Sequence, residues 1–159
     1  MPISEYVAHL RSCVGNELLL LSAAAGCIRD DQGRVLVLRR QGEQELWSVP
    51  GGSMDPGERL DETVVREVRE ETGLEVVPVA LIGVYSAPEY AFAYPNGDRV
   101  QPVTAFFECR VVGGALAPDM EEIVEARWVG KEDPLPPLLK CCEAKVRDSF
   151  AFEGRAFFR

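Results

Sequence analysis

Three glutamates, Glu67, Glu70 and Glu71, recur at close spacing in the segment RLDETVVREVREETG, residues 59–73. An α-helix advances about 100° per residue, so positions i, i+3 and i+4 share a face and these carboxylates converge within about 5–6 Å. Crowded like charges repel unless a cation neutralises them, and hard ions such as Mg²⁺ or Mn²⁺ prefer oxygen ligands. The spacing therefore predicts a divalent metal site.

The segment that carries these glutamates has the composition of a helix over residues 60–72. It contains neither Gly nor Pro and is rich in Glu and Arg, and Gly73 follows as the residue favoured just past a helix end. We expect the opposite, apolar stripe to bury against a sheet while the carboxylate face points to solvent. That stripe comprises Leu60, Val64, Val65 and Val68.

Two neighbouring residues are assigned to the same site. Arg66 lies four residues before Glu70 and is expected to pair with it, which would orient that carboxylate and keep it ionised. Glu58 precedes the helix and is expected to accept backbone hydrogen bonds that shape the loop 51–57. The alternative is an ordinary surface helix, because Glu and Arg also solvate exposed helices. A longer pattern favours the chemical interpretation.

Residues 52–74 match a pattern with nine fixed positions, G-x5-E-x7-R-E-U-x-E-E-x-G-U, in which U is a bulky apolar residue. This pattern resembles the signature of the Nudix hydrolases, and the strands predicted on either side are compatible with that fold. The matching residues are Gly52, Glu58, Arg66, Glu67, Val68, Glu70, Glu71, Gly73 and Leu74.

What the resemblance implies is an α/β fold, an α/β/α sandwich with a mixed β-sheet between helices. It also implies that water hydrolyses the pyrophosphate link of a nucleoside diphosphate derivative, with Mg²⁺ as cofactor and Mn²⁺ as a substitute. The small nucleotide derivative is then the partner of the protein. The implied metal ligands are Glu67, Glu71, Glu70 and the Gly52 carbonyl, with Glu58 either structural or in contact with the metal.

The general base is assigned to Glu70, with Arg66 as its orienting partner. In similar proteins the base sometimes comes from a loop outside the signature, and here Glu121 and Glu122 precede the strand predicted at Val124–Val129. A solvated acidic loop is the alternative interpretation of these two residues. The base stays open between Glu70 and the loop acids, and Glu70 is preferred.

The substrate rests on fewer residues. A nucleobase pocket needs a flat apolar wall, although strands are enriched in aromatic residues in any case. Arginines at the end of a predicted strand are candidates for phosphate contact, although a polar strand end is equally ordinary. The candidates are Tyr85, Tyr90, Phe92 and Tyr94 for stacking, and Arg39, Arg40 and Arg99 for phosphates.

Pro88 lies 15 residues after Gly73, a spacing that resembles a marker of ADP-ribose-cleaving members of the family. With 11 prolines in the chain, chance agreement is the alternative. ADP-ribose is the leading substrate, and dinucleoside polyphosphates (favoured by Tyr90), nucleotide sugars and nucleoside triphosphates, including oxidised ones, stay open. A non-catalytic nucleotide-sensing module and RNA end processing are disfavoured by the retained carboxylates and the net charge of −9.

The surrounding pattern predicts one domain over residues 1–159. Apolar periodicity predicts helices over residues 3–14 and 136–150. Two apolar runs, Leu18–Ile28 and Val35–Arg39, flank the turn residues 30–33 and are predicted to form a β-hairpin, and a loop is predicted to begin at residues 50–52. Further strands are predicted at Val76–Tyr85, Tyr90–Tyr94, Val100–Val112 and Val124–Val129.

Composition limits the setting and the partners. The net charge of −9 argues against a nucleic-acid polymer. The apolar run that starts at Leu18 is too short to span a membrane and has no positive leader, so a buried strand is expected. The five cysteines are an odd number without metal-ligand spacing, which favours reduced thiols in a cytoplasmic protein. His9 is the single histidine and lies in the predicted N-terminal helix, which disfavours a Ser-His or Cys-His catalytic pair. A homodimer through the N-terminal helix or through Phe157–Phe158 is a further hypothesis.

Overall fold

The computed structural model describes residues 4–41, 46–94, 96–118 and 122–159. Within these ranges the helices are α1 Glu5–Val14, α2 Leu60–Thr72 and α3 Lys140–Ala151, with a 3₁₀ turn at Pro88–Tyr90. The strands are β1 Leu19–Ile28, β2 Val35–Arg40, β3 Trp47–Ser48, β4 Gly51–Ser53, β5 Leu74–Tyr85, β6 Phe92–Ala93, β7 Arg99–Gly114, β8 Ile123–Val129 and β9 Phe157–Phe158. None of the described helices has the length and apolarity needed to cross a membrane.

The strands form two sheets. The larger has the order β4-β1-β7-β5-β9, with β6 paired to β7, and it is mixed because β1 runs parallel to β7 while β5 runs antiparallel to it. The smaller sheet has the order β3-β2-β8 and its strands are antiparallel. The predicted α/β fold with a mixed sheet is confirmed, and the second sheet is an addition to it.

The large sheet carries one helix on each face. Successive residues of a strand point to opposite faces, and β1 accordingly contributes Ala24 and Ile28 to the apolar cluster under α2, but Ala25 and Cys27 to the cluster under α3. The expected placement of helices on both faces is therefore present.

The predicted hairpin of β1 and β2 is wrong. The turn exists, since the Asp30 carboxylate accepts hydrogen bonds from the backbone N–H groups of Gln32 and Arg34 at 3.0 and 2.9 Å. Beyond it, one isolated bridge joins Arg29 to Val35, and the two strands diverge into different sheets. The reason is that each strand is already paired along both edges, β1 by β4 and β7, and β2 by β3 and β8.

The predicted loop after Pro50 begins instead with a short strand. β4 pairs antiparallel with β1, and Gly52 lies opposite Ala24. Gly51 has φ +148°, and a Cβ built on it would collide with the backbone carbonyl of Ala24. Only glycine permits this close approach, so the sequence Gly51-Gly52 fixes β4 tightly against β1.

Three other predicted boundaries move. The last helix begins at Lys140 rather than at residue 136, because the Pro137 carbonyl accepts a hydrogen bond from the Trp47 N–H (2.8 Å), which keeps this segment extended. The strand predicted at 90–94 is a 3₁₀ turn followed by the two residues of β6, with Pro88 at the first position of the turn. Helix α1 begins at Glu5, after Ser4, whose hydroxyl accepts from the Val7 N–H at 3.3 Å.

Helix α2 has the predicted bounds and packs closely on the large sheet. Val64 and Val68 are fully buried. A Cβ built on Gly26 of β1 would lie 3.1 Å from a methyl of Val68, so the absence of a side chain at Gly26 sets how near the helix comes. Gly73 ends the helix at φ 73°, and its N–H donates to the Arg69 carbonyl at 2.9 Å.

We expect Val68→Ala to lower the free energy of unfolding by about 2 kcal/mol, because it removes two buried methyl groups and leaves a cavity under α2. Val65→Ala is the matched control on the same helix, since Val65 is only partly buried, and it should cost less than half as much. Urea unfolding with a chelator present measures both. Equal costs would contradict this account of how α2 docks.

Candidate functional site

The three signature glutamates differ sharply in their surroundings. Glu67 and Glu71 are each 1% exposed, whereas the Glu70 side chain is 56% exposed. The expectation that the carboxylate face points to solvent is therefore wrong for two of the three. The physical reason is that β4 covers this side of α2, as the contacts of Gly51 with Glu71 and of Gly52 with Glu67 show.

Glu71 is enclosed by hydrogen-bond donors. The Gly51 N–H donates to one of its oxygens at 2.8 Å, and the Arg40 guanidinium forms an ion pair with the other. Arg40 also donates to the Gly51 carbonyl at 2.9 Å. Burial raises the pKa of Glu71 to about 8, although Arg40 and the Gly51 N–H act in the opposite direction. Arg40 thus neutralises a carboxylate that would otherwise be a buried, unpaired charge.

Glu67 lies directly against Gly52. A Cβ built on Gly52 would fall 2.5 Å from the Glu67 carboxyl carbon, so no other residue fits here without moving the carboxylate. Arg66 donates to Oε1 of Glu67 at 2.8 Å, but Oε2 is buried with no hydrogen-bond partner. Burial raises the pKa of Glu67, and Arg66 opposes the shift. A buried oxygen without a partner in a glycine-lined space fits a ligand oxygen for a hard cation.

Arg66 holds the entrance loop to the helix. Its Nε donates to Glu58 Oε1 at 2.6 Å and its Nη2 donates to Glu58 Oε2 at 3.0 Å, a bidentate pair, while Nη1 lies 3.3 Å from Glu70. Glu58 also accepts from the Asp55 N–H at 3.1 Å and from the Thr63 hydroxyl at 2.9 Å. These contacts lower the pKa of Glu58 to about 2, with the Arg66 hydrogen bonds as the largest cause. Glu58 therefore ties the loop between β4 and α2 to the helix.

The carboxylates fit a divalent ion by their chemistry, but guanidinium groups now share them. No three Asp, Glu, His or Cys side chains among the described residues lie close enough together to hold a metal as they stand. Arg66 contacts Glu67, Arg40 contacts Glu71, and Glu70 extends toward solvent. A cation entering between Glu67 and Glu71 would compete with these arginines for the same oxygens.

The candidate bases fall in three places. Glu70 lies at the solvent edge of α2, beside Arg66 as predicted. Glu122 is close to the site, since its Oε2 lies 3.9 Å from Arg40 Nη1 and its charge contributes to raising the pKa of Glu71. Glu121 lies outside the described residues. The structure therefore brings Glu122 toward the signature carboxylates through Arg40.

The aromatic candidates for stacking divide by burial. Tyr85 is fully buried and donates its hydroxyl proton to Asp148 at 2.9 Å, so the expectation that its ring stacks on a base is wrong. Tyr90 is 9% exposed and packs in the same cluster under α3, which leaves little of its ring for a ligand. Phe92 and Tyr94 form an edge-to-face pair at 5.0 Å, and Tyr94 is 44% exposed. The accessible aromatic surface in this segment is therefore this pair.

The arginine candidates also separate. Arg39 donates to Glu125 on the neighbouring strand at 3.0 and 3.2 Å, and its guanidinium lies 6.0 Å from the Trp47 ring, so it ties the small sheet together. Arg40 is in the acidic site through Glu71. Arg99 is exposed on β7 and its carbonyl accepts from Arg11 at 2.7 Å. Of the three, Arg40 is the one that contacts a signature glutamate.

Several contacts of the site were not predicted, and two of them show what the sequence could and could not indicate. The first is the pairing of Arg40 with Glu71, which joins residues far apart in the chain and has no local pattern. The second is the hydrogen bond from Thr63 to Glu58, for which a threonine inside the apolar stripe was an available indication. Thr63 is fully buried, so its hydroxyl needs such a partner.

A cavity of about 740 Å³ lies elsewhere, along α3. It is lined by residues of that helix, including Glu143 and Arg147, and by the segment from Lys131 to Leu138. None of the signature residues lines it. This groove is therefore separate from the acidic site.

The Arg66–Glu58 pair predicts a specific pH dependence of stability. Folding lowers the pKa of Glu58 from 4.5 to about 2. The contribution of Glu58 to the free energy of unfolding is therefore fully present above pH 4.5 and declines as the pH falls toward 2. The stability difference between the wild type and Glu58→Gln should shrink by about 1 kcal/mol between pH 7 and about pH 3.5. Urea unfolding in chelator measures it, and a difference that stays constant would contradict the assignment.

Known proteins resemble the part of the chain that contains the signature residues. A family model described as NUDIX domain matches residues 19–149. An ADP-ribose pyrophosphatase of Methanocaldococcus jannaschii is 35% identical over 95 residues, which cover 59% of this chain and 53% of that protein. An NAD-capped RNA hydrolase of Vibrio vulnificus is 32% identical over 111 residues, covering 70% of this chain and 38% of that protein.

Among solved structures, an ADP-ribose pyrophosphatase from Streptococcus suis superposes with a TM-score of 0.66 over 87% of this chain and 97% of its own, at 23% identity. At this identity the likeness concerns the fold. The chain spans between 30% and 61% of the length of the curated relatives compared with it.

Proposed function

This chain belongs to the NUDIX domain family, and we propose on that premise that it is a Mg²⁺-dependent pyrophosphohydrolase of small nucleotide derivatives. It cleaves the pyrophosphate link of a nucleoside diphosphate joined to another group, with ADP-ribose as the leading substrate. The observation that carries the proposal is the burial of Glu67 and Glu71 beside Gly52, with one Glu67 oxygen left without a hydrogen bond.

The proposed metal ligands are Glu67, Glu71 and the Gly52 carbonyl, with Glu70 at the solvent side. When bound, Mg²⁺ supplies charge neutralisation for the phosphates and a water molecule of lowered pKa. The rigid packing of α2 on the sheet keeps the two buried carboxylates at fixed positions, which such a site requires. Mn²⁺ is expected to substitute because it accepts the same oxygen ligands.

Arg40 has two proposed tasks. Without metal it neutralises Glu71. A cation held by Glu71 would compete with Arg40 for this carboxylate, and the planar, permanently charged guanidinium would be suited to bind a phosphate oxygen. Arg66 stays with Glu58 and holds the loop that leads into α2, so its role is positioning.

The proposed base is Glu70, which takes a proton from the attacking water. It is exposed, in contrast to Glu67 and Glu71 on the same helix, and it lies 3.3 Å from Arg66, which orients its carboxylate. The loop acids Glu121 and Glu122 stay as alternatives to it. Glu122 is supported by its position near Arg40.

We expect Glu70→Gln to lower kcat by at least about 100-fold with KM little changed, because a base acts on the chemical step and the variant keeps the shape of the side chain. Glu122→Gln, measured in parallel, should lower kcat by less. Glu143→Gln is the matched control, since Glu143 is also a part-exposed glutamate paired with an arginine four residues away. A near-normal rate for Glu70→Gln with a large loss for Glu122→Gln would move the base to the loop.

ADP-ribose is the preferred substrate for two reasons. Two of the compared proteins are named ADP-ribose pyrophosphatase, and Pro88 lies 15 residues after Gly73, the spacing that resembles a marker of ADP-ribose-cleaving members. The exposed Tyr94, packed edge-to-face on Phe92, offers a surface for an adenine ring. Dinucleoside polyphosphates, nucleotide sugars and nucleoside triphosphates, including oxidised ones, are the alternatives, since the signature recognises the pyrophosphate and not the attached group.

A chromatographic screen of these four substrate classes, with Mg²⁺ and with excess chelator, tests the proposal. We expect AMP and ribose 5-phosphate from ADP-ribose, and no turnover in chelator. Turnover that survives chelation would contradict the metal assignment, and faster cleavage of another class would replace ADP-ribose. RNA filter binding separates this activity from RNA end processing, for which the acidic chain is not expected to bind the polymer.

A cytoplasmic location with reduced thiols and a homodimer are proposed for the whole protein. The five cysteines are free in the structure, which is compatible with a reducing compartment. Phe158 is 79% exposed on β9, at the edge of the large sheet, so the aromatic end of the chain offers a surface for a second copy. Sedimentation that finds only monomer would remove the dimer.

A further inference from the structure

Two adjacent thiols lie at the start of α3, apart from the acidic site. The Sγ atoms of Cys141 and Cys142 are 3.8 Å apart, and neither forms a disulfide. Cys142 is 4% exposed, whereas Cys141 is partly exposed. The backbone immediately before them is anchored to the small sheet, because the Leu139 N–H donates to the Trp47 carbonyl at 2.9 Å.

A buried lysine faces these thiols from the next turn of the helix. Lys145 is 3% exposed, and burying an ammonium ion is costly unless an anion or strong acceptor compensates for its lost hydration. Its nitrogen lies 5.5 Å from the centre of the Tyr85 ring, and Cys141 lies four residues before it on the same face of α3. Among the described residues, no carboxylate oxygen lies within 4.0 Å of it. A thiolate at Cys141, one helical turn away, would supply an anion for this buried ammonium group.

The rest of the surroundings favour the same assignment. The hydrogen bond between the two thiols is the largest cause that lowers the pKa of Cys141 to about 6, and the Lys145 charge also lowers it, whereas burial raises it. Cys141 also lies in the first turn of α3, where backbone N–H groups favour an anion. Burial and the neighbouring thiol raise the pKa of Cys142 well above its ordinary value. The pKa of Cys141 and that of Cys142 are therefore shifted in opposite directions, which favours a thiolate at Cys141.

We propose that Cys141 is a site of reversible oxidation by hydroperoxides, with Lys145 and Cys142 holding its sulfur as a thiolate at the start of α3. The sulfur attacks a peroxide oxygen, so that an S–O bond forms as the O–O bond breaks. Sulfur is oxidised to a sulfenic acid, and the reduced peroxide leaves as water or an alcohol after taking a proton from solvent. Two equivalents of a small thiol restore Cys141, releasing water and the disulfide of that thiol.

The other cysteines serve as internal references. Cys27 and Cys109 are buried, and burial raises the pKa of their thiols to about 11 and about 12. Cys13 is exposed on α1, so access alone would make it the first thiol to react. The proposal predicts instead that Cys141 reacts before Cys13, because the thiolate is the reactive species.

A brief pulse of limiting iodoacetamide on the native wild type at pH 7, followed by peptide mapping, tests the reversal. Cys141 should be alkylated about tenfold faster than Cys13, since a large thiolate fraction outweighs its lower nucleophilicity and access. Lys145→Met should slow the alkylation of Cys141 by about tenfold and leave the alkylation rate of Cys13 unchanged. Lys131→Met is the matched control, because Lys131 is exposed, and it should change neither rate.

Oxidation is tested with one equivalent of hydrogen peroxide followed by dimedone, which traps sulfenic acids. The adduct should form on Cys141, and dithiothreitol added before dimedone should prevent it. Alkylation of Cys141 no faster than of Cys13, or a dimedone adduct on Cys13 in place of Cys141, would overturn the proposal. The wild-type comparison needs no variant to fold, and none of these readouts requires hydrolase activity.

Discussion

Two carboxylates, those of Glu67 and Glu71, lie buried where α2 meets β4, and the arrangement of the site follows from the need to compensate them. An ionised carboxylate removed from water is strongly destabilising unless cations or donors replace its hydration. Here the compensation comes from Arg66 on Glu67 and from Arg40 with the Gly51 N–H on Glu71. One Glu67 oxygen is left over. A divalent ion would serve the same electrostatic need and use that oxygen as well.

This constraint links parts of the chain that are distant in sequence. Arg40 extends from the small sheet to a helix that packs on the large one, so its ion pair with Glu71 joins the two sheets at the site. The glycines of β4 are required because a side chain would strike β1 at Gly51 and the Glu67 carboxylate at Gly52. The Arg66–Glu58 pair then fixes the loop between β4 and α2. The signature is therefore a packing unit as well as the proposed set of metal ligands.

The sequence predicted what depends on local periodicity and failed where long-range pairing decides. The bounds of α2 and its end at Gly73 follow from helix propensity and from a left-handed backbone position that suits glycine. The β1–β2 hairpin failed because the turn at Asp30 is local, whereas the partners of each strand are set by distant segments. A helical pattern assigns glutamates to the solvent-facing side of the helix, so it did not indicate that β4 buries Glu67 and Glu71. The burial of Tyr85 was also missed, because it depends on packing against α3, which is distant in the sequence.

Direct binding of Mn²⁺, followed by the loss of its free electron paramagnetic resonance signal in the absence of substrate, tests the central claim that the buried pair forms the cation site. The account predicts saturable binding to the wild type and an affinity at least about tenfold weaker in Glu67→Gln, which replaces one anionic oxygen beside Gly52 with a neutral amide. The exposed Glu143→Gln variant should bind like the wild type. Equal affinity of the wild type and Glu67→Gln would contradict the account.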